Sequence, residues 1–94
     1  SNKIPASLCR INLPPYSPLL LLPSKQCIGL LKKLHSAFSE KIYLSDTKEK
    51  QVQIMDLSGR ILAQFGSTPL HKVAQSVTGC SLGVLCPNLN NFVK

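Results

Sequence analysis

The chain has 94 residues, 44% of them apolar, with no tryptophan and seven prolines. That is one small domain with a single thin core, too short for two domains and too apolar for long disorder. Eleven Lys and Arg against four Asp and Glu give a net charge of +7, yet only 16% of residues are charged, so the excess comes from scarce acids. The longest uninterrupted apolar run, Leu19 to Leu22, is far short of the roughly 20 residues that span a bilayer.

The opening Ser1-Asn2, without methionine, reads as a cut fragment, and no secretory signal pattern stands in residues 1 to 24. Residues 1 to 23 read as a proline-rich arm, with five of the seven prolines at positions 5, 14, 15, 18 and 23. Such proline density argues against an inner sheet strand or a long helix. The apolar stretch Tyr16 to Leu22 is read as an edge strand or a strap over the core. Residues 24 to 94 then form one compact domain.

In that domain Cys27, Leu30, Leu31, Leu34, Ala37 and Phe38 fall on one arc of about 120°, which predicts an amphipathic helix over about 25 to 39. Ser24 is placed to cap its first turn. From Lys41 the period changes to two. Ile42 and Leu44, Val52 and Ile54, then Ile61, Ala63 and Phe65 predict a three-stranded meander over 41 to 66, with Asp56-Leu57-Ser58-Gly59 as its second turn. Thr68-Pro69 opens a second short helix over about 69 to 78, with Pro69 at its first position, and Gly79 closes it. Cys80 to Cys86 reads as a further strand at the sheet edge, and Pro87 to Lys94 as a final turn of helix. The expected fold is α+β: a small antiparallel sheet of four to five strands with the first helix packed on one face.

Two segments resemble known families. Lys41 to Ser67, with Ile42-Tyr43-Leu44-Ser45-Asp46-Thr47 and Val52-Gln53-Ile54-Met55-Asp56-Leu57-Ser58-Gly59-Arg60-Ile61-Leu62, resembles one NHL propeller blade over 27 residues. A propeller needs typically four to eight blades, and nothing before or after continues this one. Asp56 to Leu62 with its following helix is similar to part of a PAS domain, which would imply a ligand-sensing or partner-sensing pocket. No cofactor motif of such sensors accompanies it, and neither family is adopted.

No motif for chemistry emerges. Cys9, Cys27, Cys80 and Cys86 have 17, 52 and 5 residues between them, with no Cys-x-x-Cys pair and no paired histidines, so neither a metal nor a cofactor is expected. Four cysteines allow three disulfide connectivities, but their low density and the apolar neighbours of Cys27 and Cys86 favour reduced thiols and an intracellular site, cytoplasmic or nuclear. His35 and His71 read as solvated helix residues. Glu40, Asp46, Glu49 and Asp56 fall at helix ends and turns. No catalytic residue is assigned and no enzyme is expected.

The expected function is therefore a non-enzymatic protein interaction or self-association module, its partner another protein or a second copy. Its contact residues would be Leu19, Leu20, Leu21 and Leu22 on one sheet edge, with Leu82 and Val84 on the Cys80 to Cys86 strand. The alternative is accessory binding of a nucleic-acid backbone through a lysine patch made of Lys25, Lys32, Lys33, Lys41, Lys48 and Lys50. Arginine is scarce and no aromatic cluster could stack bases, so charge supports phosphate attraction without sequence reading.

Overall fold

A computed structural model describes residues 4–16, 20–37 and 42–79. Its elements run β1 (Leu8–Ile11), β2 (Leu20–Pro23), α1 (Ser24–Ala37), β3 (Ile42–Asp46), β4 (Val52–Asp56), β5 (Ile61–Phe65) and α2 (Leu70–Thr78). The strands form one antiparallel sheet in the order β2-β1-β5-β4-β3. This is the expected α+β fold, with two helices packed against each other, α1 over β1 and β2 and α2 against β3.

The cross-strand register explains the layering. Leu20, Ile11, Ala63, Ile54 and Leu44 form a row across all five strands, and Leu22, Cys9, Phe65 and Val52 form the next row on the same face. Directly paired residues point to the same side of a sheet, so both rows meet the helices. There they pack with Leu31 and Cys27 of α1 and with Val73, Ala74 and Val77 of α2. The opposite face carries Arg10, Gln64, Gln53 and Ser45, and the Gln64 side-chain amide donates to the Gln51 side-chain carbonyl.

The arm departs from expectation. Its residues 8–11 form β1, an inner strand hydrogen-bonded between β2 and β5, where proline density argued against one. The prolines bracket this strand at positions 5, 14 and 15 and leave its ladder donors intact. Pro23 ends β2, which lies at the sheet edge, where a missing N–H costs no ladder bond. Ser24 begins α1 as a tie to the arm: its N–H donates to the Ser7 carbonyl at 2.9 Å and its hydroxyl to the Ala6 carbonyl at 2.8 Å.

A second departure lies in β5. Strict alternation would turn Ile61 inward with Ala63 and Phe65, but Ile61 is 38% exposed and Leu62 is 3% exposed. Ile54 pairs with Ala63 and Met55 with Ile61, so Leu62 is an extra residue, a β-bulge that reverses the inward set at the start of the strand. The preceding turn is closed by Asp56, whose carboxylate accepts from the Ser58 N–H, the Ser58 hydroxyl and the Arg60 N–H, while Gly59 takes φ 90°.

At α2, Pro69 is the N-cap, one residue outside the helix, and no side chain caps this end. The Pro69 carbonyl accepts from the Lys72 and Val73 amides. Gly79 ends the helix in the left-handed region, its N–H donating to the Gln75 carbonyl at 2.8 Å.

The expected strand over 80 to 86, the terminal turn, and Phe38 of the helix stripe lie outside the described residues.

Candidate interaction edge

Among the described residues the two outer strands of the sheet are β2 and β3, and β2 carries the more apolar edge. The direction of its backbone groups follows from a single bond. Because the Ser24 N–H meets the Ser7 carbonyl, the alternation of an antiparallel ladder puts Leu22 opposite Cys9 and Leu20 opposite Ile11 as hydrogen-bonded pairs. Leu21 and Pro23 fall between them and aim their backbone groups away from β1. The outer side of β2 thus offers the Leu21 N–H and the Leu21 carbonyl, whereas the Pro23 carbonyl, one residue before α1, accepts the first bond of that helix.

Side chains complete the surface. Leu20 is 50% exposed on the helix-covered face and Leu21 52% exposed on the opposite one, while Leu22 is half-buried against the core. Arg10, paired with Leu21 in the register, lies one strand in on the face that Leu21 shares. Leu20, Leu21 and Leu22 therefore stand together, whereas Leu19, Leu82 and Val84 lie outside the described residues.

Behind this edge a disulfide joins Cys9 to Cys27, with 6.2 Å between their Cα atoms. Both cysteines are fully buried, and the bond fastens β1 to the underside of α1. Reduced thiols were expected for this pair. The expectation fails because α1 packs over β1 and carries Cys27 onto Cys9, a juxtaposition that spacing in the chain does not reveal. Cys80 and Cys86 lie outside the described residues.

The described lysines are distributed along α1 and the β3–β4 turn. Lys25, Lys32, Lys33, Lys48 and Lys50 are exposed, and Lys41 lies outside the described residues. Strand directions put the start of α1, with Lys25, at the same end of the sheet as the β3–β4 turn that carries Lys48 and Lys50. Three strand spacings, roughly 15 Å, separate β2 from β4. Lys32 and Lys33 are two turns further along α1, toward the other end. Lys50 itself sits in the left-handed region, at φ 58°, within the tight turn from Thr47 to Gln51.

Among the described residues no group of three His, Cys, Asp or Glu could hold a metal ion, and no helix is long and apolar enough to cross a membrane. Asp56 has its pKa lowered, first by the Ser58 hydroxyl and then by the Arg60 and Ser58 amides, as befits a turn-closing carboxylate. His35 is half-buried and His71 exposed, on different helices. An open depression of about 750 Å³ beside β3 is lined by Ser45, Asp46, Gln53, Met55 and Leu70, among others. The space between sheet and helices is filled by side chains such as Phe65, Leu31, Ile54 and Val73. The meander that resembles a propeller blade is one part of a sheet extended by β1 and β2.

Comparison with protein-family models, characterised proteins and solved structures found no match to this chain.

Proposed function

We propose that this chain is a non-enzymatic protein-interaction module that engages another protein or a second copy of itself through the outer side of β2. The observation that carries the reading is the pair of half-exposed leucines, Leu20 and Leu21, on an edge strand whose free backbone groups are aimed outward. Soluble domains usually blunt such an edge with charge or cover it. Among the described residues its shortness and Pro23 do so.

The test compares the chain with Leu20→Ser and Leu21→Glu variants that keep its melting temperature. Sedimentation velocity reads self-association, and affinity capture from extracts reads other partners. Loss of dimer or of specific retained proteins in both variants supports the reading. Unchanged behaviour on both readouts removes β2 as the contact surface.

A second reading, binding of a nucleic-acid backbone, is favoured by Lys25, Lys48 and Lys50 sharing one end of the sheet. Duplex DNA bound below about 10 μM in 50 mM salt, and lost steeply by 200 mM, supports it.

On compartment, the Cys9–Cys27 bond weighs toward an oxidising one and against the intracellular expectation, which rested on reduced thiols. Alkylation of the natural protein with and without reductant decides between them.

A further inference from the structure

Charge is divided sharply along this chain. Residues 1 to 39 hold five cations, Lys3, Arg10, Lys25, Lys32 and Lys33, and no acid, while all four acids, Glu40, Asp46, Glu49 and Asp56, come later. The fold turns that division into geometry. The acid-free part supplies β1, β2 and α1, which together make one side of the molecule, whereas Asp46, Glu49 and Asp56 lie on β3, β4 and their connecting turn. No carboxylate side chain therefore stands on the three elements that build the β2 edge.

From this edge we infer a specific kind of partner, an extended peptide of another protein with apolar residues between acidic ones, added as a sixth strand outside β2. The inference rests on the interaction reading above and narrows it. Three sets of contacts define the fit. The backbone of such a peptide bonds the Leu21 N–H and carbonyl, the pair of groups that β1 leaves free. Its residues beside Leu20 and Leu22 face the helix-covered side and are apolar, continuing the row that Ile11, Ala63, Ile54 and Leu44 begin. Its residues on the other face approach Arg10, which lies two strand spacings away, roughly 10 Å and about one Debye length. At the Pro23 end an acidic side chain meets exposed Lys25, the second residue of α1.

Charge also argues against a second copy. Two-fold pairing of β2 with itself would bring two acid-free, cationic sides together and hold the two copies of Arg10 on one face roughly 15 Å apart, a like-charge arrangement that gains nothing from pairing and disfavours association. A partner carrying carboxylates relieves the same positive field that a copy would double.

The probe is a capped, fluorescent peptide whose core reads glutamate–valine–leucine–valine–glutamate, its central leucine opposite Leu21. It is compared with the same peptide bearing lysines for glutamates and with one N-methylated at the central leucine. The expected result is binding at least about tenfold tighter for the glutamate peptide than for the lysine peptide in 50 mM salt, with the difference shrinking as salt screens it. Arg10→Gln with Lys25→Gln should narrow that gap, and N-methylation should abolish binding. Leu21→Pro removes the outward donor without touching the bonds at Leu20 and Leu22 and should also abolish it; should that variant fail to fold, the N-methylated peptide tests the companion bond of the same residue pair, from the peptide N–H to the Leu21 carbonyl. Equal binding of the glutamate and lysine peptides overturns the acidic partner while leaving the interaction reading intact. Binding that survives N-methylation overturns strand addition. A chain that ignores every peptide but dimerises, with Leu21→Glu breaking the dimer, assigns the edge to a second copy. A chain that ignores every peptide, stays monomeric and binds duplex DNA assigns it to neither.

Discussion

The carbonyl oxygen of Ile4 occupies the space that a side chain on Gly66 would need. The stretch leading into β1 is thus laid directly on the backbone leaving β5, and Ile4 is itself buried. A Cβ at residue 66 would overlap both the oxygen and the carbon of that carbonyl, so the strand leading in must shift to admit it. Gly66→Ala is expected to destabilise the domain by about 1 to 3 kcal/mol, the usual cost of overpacking. Removing residues 1 to 5 should lower stability too, and the alanine should then cost little, because its obstacle is gone. Denaturant melts of the four species check this. Full additivity of the two changes would separate Ile4 from Gly66.

The disulfide makes a second prediction. Cys9 and Cys27 are 18 residues apart, and closing a loop of that size stabilises by about 3 kcal/mol in the chain-entropy account. For a domain of this length that corresponds to roughly 12 to 24 °C in melting temperature. Melting with and without reductant should show a loss of that order, and Cys27→Ala should lose at least as much and become insensitive to reductant. A wild-type melt indifferent to reductant, with every thiol open to alkylation after denaturation, would remove the bond.

The sequence disclosed those elements whose evidence is local. The stripe of α1 from Cys27 to Leu34, the meander and the stop at Gly79 each rest on spacings within a dozen residues, and each is present. What escaped was set by distant contacts. Leu8 to Ile11 is too short to announce itself and is flanked by prolines, and its place as an inner strand depends on β5, some 50 residues later. The Cys9–Cys27 bond depends on α1 lying over β1. The Ile61 and Leu62 reversal depends on a bulge that no period of two can contain. At the candidate edge, the leucines were legible as apolar residues between prolines, but the outward direction of Leu21 required the register with β1.

A third prediction addresses α1. Leu31 is fully buried between the sheet and α2, whereas its neighbour Lys32 is exposed. Leu31→Ala is expected to cost about 2 to 5 kcal/mol and Lys32→Ala less than about 0.5. Leu34, half-buried, should fall between them. Thermal melts in which Lys32→Ala matched Leu31→Ala would mean that the helix is rotated from the phase described.

The fourth concerns acid. Asp56 has its pKa lowered from 3.8 by the Ser58 hydroxyl first and by the Arg60 and Ser58 amides after it. A carboxyl whose folded value lies below its unfolded one adds stability that is present above the unfolded value and disappears as pH falls through the folded one. The wild-type melting temperature should therefore drop more steeply below pH 4 than that of Asp56→Ala, the two curves converging at low pH. Curves that stay parallel from pH 7 to pH 2 would deny the carboxylate its role in the turn.

The position of β1 has a consequence for how the chain matures. Arg10 pairs with Gln64, a separation of 54 residues (64 − 10), while β1 and β2 are near neighbours in the chain. During synthesis the β1–β2 hairpin can close early, but it then has two open sides, one of them the side that β5 will later fill. That inner side stays unpaired until the chain is complete through Phe65, and with it Ile11 and Cys9 remain uncovered by their cross-strand partners. Contacts of such long reach slow the closing step and lengthen the life of an adhesive intermediate. The same four residues that anchor the finished sheet are thus the ones a nascent chain must guard longest.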